Sequence, residues 1–146
     1  MRKAVKTALR YLLFGDMITM DHIEATGRNL GIRGLAWALV IYDLATGFRV
    51  AYPCKNKDGE TTTLLFKQFL GRQKVKAGYV DNADELEVAM RACGVIPDKS
   101  RAGRSQNNAV IERQNQEANR GAKVALLQAG LPPPFWASCH AVCLSC

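Results

Sequence analysis

The first third of the chain gathers its apolar residues into short, strand-sized runs, and the rest spaces them mostly at helical intervals. "DMITMDHIEA" (16–25) reads as a strand and is followed by a Gly-rich polar turn, "TGRNLGIRG". "LAWALVIYDL" and "FRVAYPC" read as two more strands joined by the short link "ATG". Three strands with tight connections imply an antiparallel meander. The pattern then changes. "DGETTTLLFKQFL" opens on acidic and hydroxyl residues and carries Leu65, Phe66, Phe69 and Leu70 on one helical stripe. "VKAGYVD" is a fourth strand ending on Asp81, and "ADELEVAMRAC" a helix with Leu86, Ala89, Met90 and Cys93 at i, i+3, i+4, i+7. "GVIP" is a short fifth strand, and "DKSRAGRSQ" a basic loop without periodicity.

A long helix is expected from about Asn107 to Ala129, stopped by Gly130 and the prolines 132–134, with a last helix over "FWASCHAVCLSC". The order β-β-β-α-β-α-β-α-α predicts an α/β domain. Its five-stranded mixed sheet has three antiparallel strands, then two parallel ones, with helices on both faces. Residues 16–146 form this core, and 1–15 a basic amphipathic segment with Val5, Leu9, Leu12 and Leu13 at helical spacing, read as a short surface helix. The last helix reaches Cys146 without a stop signal, so the chain is expected to be a piece of something longer.

At 146 residues the chain is one domain in size, and 48% hydrophobic and 23% charged residues are ordinary globular proportions. No apolar run approaches a membrane span. A formal charge of +7 suggests a polyanionic partner, of which nucleic acid is the commonest, although a merely basic soluble domain would carry the same charge. Cys54, Cys93, Cys139, Cys143 and Cys146 are odd in number and lack scaffold spacing, which argues for reduced thiols inside a cell. The last three share one helical face and are read as small buried apolar residues rather than, with His140, as zinc ligands.

Three acids stand in unusual places. Asp21 lies inside the apolar strand "ITMDHI", Asp81 closes another strand, and Glu112 occupies the first turns of the long helix. Any one alone is explained by a neighbouring Arg or Lys. Together they suggest a cluster, because strands 1 and 4 can be adjacent and a helix at the sheet edge can bring Glu112 alongside. Convergent carboxylates repel unless cations hold them, and hard oxygen ligands in an open cluster suit one or two Mg²⁺ or Mn²⁺ ions. Asp16 is a weaker candidate because it precedes its strand. Asp43 and Asp84 fit a strand end and a helix cap.

"MDHI", "YVDNADE" and "SQNNAVIERQN" resemble the three blocks of the integrase catalytic core of retroviruses and long-terminal-repeat retrotransposons, nearest to the copia type. "IYDLATGFRVAYPCKNKDGETTTLLFKQF" and "AGLPPPFWASCHAV" resemble its flanking segments, so the resemblance covers about residues 16 to 143. It implies an RNase H-like fold. It makes Asp21, Asp81 and Glu112 catalytic residues and metal ligands, and it places Asn82 and Asn108 at the amides near the second and third acids. It also implies DNA (element ends and target duplex) as partner, self-association, and a cytoplasmic particle preceding a nuclear integration step, with no secretion and no membrane. Thirty residues (82–111) separate Asp81 from Glu112, fewer than the family has. Ala83 and Asp84 replace its glycines, and Ser105 its proline.

Glu112, Asn115, Gln116, Asn119 and Lys123 form one polar stripe opposite the apolar stripe Ile111, Ala118, Ala122, Ala125 and Leu126. Such a stripe is usually a solvated face. Beside a phosphoryl-transfer centre, its amides and lysine suit contacts to DNA, while Lys99, Arg101 and Arg104 add an electrostatic clamp. Arg113 and Arg120 suit structural ion pairs as well as DNA. The expected chemistry is metal-dependent phosphodiester transfer: end trimming by water, then attack of the 3′ hydroxyl on target DNA. The alternatives are a decayed or repurposed DNA-binding or assembly domain, and a plain nuclease of the same fold.

Overall fold

The computed structural model describes residues 13–25, 30–81, 83–99 and 105–138, with backbone alone for 99, 105–108 and 110. The N-terminal basic segment up to residue 12 lies outside the described residues. In chain order the elements are β1 (Ile18–Glu24), β2 (Trp37–Asp43), β3 (Arg49–Cys54), α1 (Gly59–Leu70), β4 (Ala77–Val80), α2 (Asp84–Ala92), β5 (Ile96–Lys99) and α3 (Ser105–Ala129). Every element matches the sequence reading within a few residues. In place of a helix opening at Phe135, a 3₁₀ turn spans Pro133–Phe135, and the helix that follows is described only to Ser138.

The five strands form one sheet in the order β3-β2-β1-β4-β5. β1, β2 and β3 pair antiparallel, and β4 joins β1 and β5 in parallel. The expected mixed α/β sheet is therefore the one found. Ile18, Met20, Leu39, Ile41 and Val80 point to one face, where they pack with Phe66 of α1 and Leu86 and Met90 of α2. Complete burial of a ring such as Phe66 contributes about 2–3 kcal/mol. Because strand side chains alternate, Val40 and Ala51 face the other way, against Ile111 and Ala118 of α3. Helices thus cover both faces.

Local chemistry explains the helix starts and the sheet's far end. Asp58 caps α1 by accepting from Thr61 N at 2.8 Å, and this holds its carboxyl below the usual range. Ala83, not Asp84, occupies the cap position of α2, and Asp84 instead contributes negative charge to the first turn. Asp43 is fully buried at the end of β2. Its carboxylate accepts from Gly15 N (3.0 Å), Thr46 N (2.8 Å) and Thr46 Oγ1 (2.6 Å), tying the β2–β3 turn to the entry of β1. Gly15 has a φ of +83°, and a Cβ there would lie 2.6 Å from the carbonyl oxygen of Lys74, so the close approach requires glycine.

Candidate functional site

The site is built by strand register. The β1–β4 pairing runs from Ile18↔Gly78 to Met20↔Val80, so Asp21 and Asp81 are the next residues on two adjoining parallel strands. Strand alternation turns Asp21 away from Met20 and toward the α3 face. There Asn115 Nδ2 donates to Asp21 Oδ2 at 2.7 Å, while His22 N donates to Asp21 Oδ1 at 2.8 Å. Both oxygens of Asp21 therefore have a defined direction.

The electrostatics match a carboxylate held against its preference. Burial raises the pKa of Asp21, and the Asp81 charge adds to the rise. The two hydrogen bonds and the Lys57 ammonium oppose it. Asp81 itself is exposed. Glu112 is also exposed and precedes Asn115 by three residues, which places it one turn earlier on the same side of α3. Among the described residues no three His, Cys, Asp or Glu side chains come together closely enough to hold an ion by themselves. The structure brings Asp21 and Asp81 together and sets Asn115 on Asp21; Glu112 stands a turn away.

This donor set fits a hard divalent cation. Mg²⁺ commonly takes one or two carboxylates and keeps several waters. Asn115 Oδ1 is buried without a hydrogen-bond partner, an amide oxygen of the type such ions accept as a ligand.

The residues expected to contact DNA are distributed along α3. Gln116 and Lys123 are exposed and Asn119 is half-buried. Asn119 and Lys123 border a cleft of about 530 Å³ whose other walls include Ile23, Glu24, Leu126 and Trp136. It opens beside the end of β1, on the acid side of the sheet. A larger hollow of about 650 Å³, between Phe14, Phe48 and Phe69, lies at the opposite end of β1 and offers no acid pair. Lys99 ends β5 and Asn108 lies in the first turns of α3, but their side chains, together with Asn82, Arg101 and Arg104, are outside the described residues. Cys139, His140, Cys143 and Cys146 are outside them too. Arg113 and Arg120 are exposed, and neither forms an ion pair among the described residues. Arg49 of β3 instead holds α3, through Gln114 Oε1 and Glu117 Oε2, each at 2.8 Å.

Sequence reasoning missed His22. Its side chain is only 5% exposed and lies between α1 and α2, with Nε2 3.3 Å from Thr62 Oγ1 and Nδ1 4.0 Å from Glu85 Oε1. Burial pushes its pKa down, Glu85 draws it up, and Lys57 lowers it. The available signal was its place beside Asp21 in an alternating strand, which sends the two side chains to opposite faces. Cys54 is a buried free thiol, and burial pushes its pKa up to about 11.

These features define an α/β domain with a half-buried carboxylate in mid-strand on β1 and a second immediately after the adjoining parallel strand β4, each one residue beyond the paired segment. No protein-family model matches the sequence, and no curated protein matches it either. No helix among the described residues is long and apolar enough to cross a membrane.

Proposed function

We propose that the chain is the catalytic core of a retrotransposon-type integrase, with an RNase H-like fold, acting on DNA through Mg²⁺ or Mn²⁺. The observation that carries this reading is the adjacency of Asp21 and Asp81, each one residue beyond the paired segment of the parallel strands β1 and β4, with burial and the Asp81 charge opposing ionisation of Asp21. Such strain is characteristic of functional carboxylates. The three sequence blocks that resemble those of integrases, in the same order, supply the rest of the argument.

In this reading Asp21 and Asp81 are the primary ligands, and Asn115 orients Asp21 through its amide. Glu112, one turn before Asn115 on the same side of α3, is the third ligand of the set. Asp21, Asp81 and Glu112 would hold the divalent ion, which would supply charge stabilisation of the attacking and leaving oxygens in phosphodiester transfer. Asn119 and Lys123, along the same face of α3, contact the DNA backbone, and Gln116 presents a further amide to it. Lys99, Arg101 and Arg104 add sequence-independent attraction, as does the overall charge of +7. Asn82 and Asn108 flank the second and third acids. The chain acts as a homo-oligomer, with a cytoplasmic particle preceding action in the nucleus.

A second reading, a DNA-binding or assembly domain without catalysis, is favoured by the short Asp81–Glu112 interval and by the exposed position of Glu112. One assay separates them: the purified chain is incubated with a short duplex and Mn²⁺, and cleaved and joined products are followed. Joined products that disappear in Glu112→Gln support the integrase. Cleavage without joining identifies a nuclease, and binding without either product identifies the non-catalytic domain.

A further inference from the structure

We infer that His22 is a positioning residue for the Asp21 carboxylate, holding the exit of β1 in fixed relation to the helices that follow β3 and β4. The inference rests on the metal-site reading above. It begins with one hydrogen. The Thr62 hydroxyl donates to the carbonyl oxygen of Asp58 at 2.7 Å, so its only hydrogen is used. The 3.3 Å contact with His22 Nε2 therefore has the ring as donor and Thr62 Oγ1 as acceptor. This fixes the hydrogen on Nε2 and the orientation of the imidazole.

The ring's second neighbour belongs to the other helix. Nδ1 faces Glu85 Oε1 at 4.0 Å, and Lys57 Nζ approaches the same oxygen at 3.5 Å. Glu85 lies in the first turn of α2, which starts three residues after Asp81, and Ala83 N donates to the carbonyl oxygen of Asp81 at 2.6 Å. The imidazole is thus lodged between the first turn of α1 and the first turn of the helix that leaves Asp81.

The link to the acid runs through the same residue's main chain. His22 N–H donates to Asp21 Oδ1 at 2.8 Å, so the residue whose ring is lodged between the two helices also supplies a hydrogen bond to the acid. Asn115 holds the other oxygen from the opposite face. The β1–β2 ladder holds one edge of this strand (Asp21↔Val40, His22↔Leu39), but pairing with β4 stops at Met20↔Val80. On that open edge the His22 ring braces β1 against α1 and α2, and without it the edge can shift and Asp21 loses the direction that a metal ligand needs. A histidine that merely filled core volume would leave ion affinity unchanged when replaced by a residue of similar size.

The test measures Mn²⁺ affinity of the whole chain from the electron paramagnetic resonance signal of free Mn²⁺, with unfolding midpoints recorded separately without the ion. His22→Phe keeps the volume and removes the donor; His22→Gln restores an amide donor; Thr62→Val removes the acceptor without changing shape. The Phe and Val variants are expected to weaken Mn²⁺ binding by about tenfold or more, the usual effect of losing an outer-shell partner, with Gln recovering most of the loss. A folded Phe variant that binds as tightly as the parent overturns the inference. If the Phe variant does not fold, parental affinity in Thr62→Val has the same force. Equal losses in Phe and Gln also overturn it, because they point to ring packing instead of the donor. A parent chain that binds no Mn²⁺ removes the metal-site reading and this one with it. Normal parental binding with insensitive variants removes only the role of His22.

Discussion

Replacing Asn115 by Ala isolates the contact that joins α3 to the acid pair. The bond lost is 2.7 Å long and has a carboxylate acceptor already short of water. Hydrogen bonds to charged groups contribute about 1.5–3 kcal/mol. Against this, truncation also removes Asn115 Oδ1, which is buried without a partner, and that relief offsets part of the loss. A net cost of about 1–2 kcal/mol remains at neutral pH. With an unfolding entropy of about 2.1 cal/mol/K per residue, the 146 residues give about 0.3 kcal/mol/K. The expected fall in Tm is therefore about 3–6 °C, read by circular dichroism. The pH dependence has a definite sign. Asn115 favours the ionised form of Asp21, so its contribution is largest above the pKa of the folded state and shrinks as acid protonates the carboxyl. An unchanged Tm, or a penalty that grows on acidification, would refute the assignment of this bond.

Two further substitutions probe the acids themselves. Burial raises the pKa of Asp21 in the folded state, so folding is favoured by its protonated form, and that contribution is lost as pH rises through the folded pKa. Asp21→Asn is therefore expected to raise Tm at neutral pH without divalent ions and to lose the advantage in acid; a variant less stable than the parent at every pH contradicts this. Asp43 has the opposite role, since its buried carboxylate satisfies three donors. Asp43→Asn supplies only one acceptor oxygen, and a loss of about 3 kcal/mol is expected in urea unfolding. A loss under about 1 kcal/mol would show that the turn does not depend on these bonds.

How much of this was legible beforehand follows from the range of each interaction. The alternation of Leu39, Val40 and Ile41 between two faces is written in neighbouring residues, and so is the apolar stripe Ile111, Ala118, Ala122 and Leu126 that docks α3. An acid inside "ITMDHI" announces an unusual position for the same local reason. What stayed hidden depends on partners far along the chain. Asn115 reads as one more amide on a polar stripe, and only the packing of α3, 94 residues from Asp21 in sequence, reveals its acceptor. Asp43 reads as a strand end, yet Gly15, 28 residues away, makes it a buried cap. The cap of α2 was misplaced by one residue because Ala83 holds an extended backbone there without any side-chain bond.

The parallel union of β1 and β4 acts as a ruler. Main-chain hydrogen bonds hold neighbouring strands about 4.8 Å apart whatever side chains they carry. The backbone thus sets the starting separation of the two acids, each one residue beyond the last paired residues Met20 and Val80, and side chains such as His22 and Asn115 set only how Asp21 is aimed. On the proposed metal-site reading, a cation at that edge would find its carboxylates from the β1 and β4 side already brought together by the sheet. Loading should accordingly be quick and nearly independent of conformational rearrangement, and any slow step must arise on the α3 side.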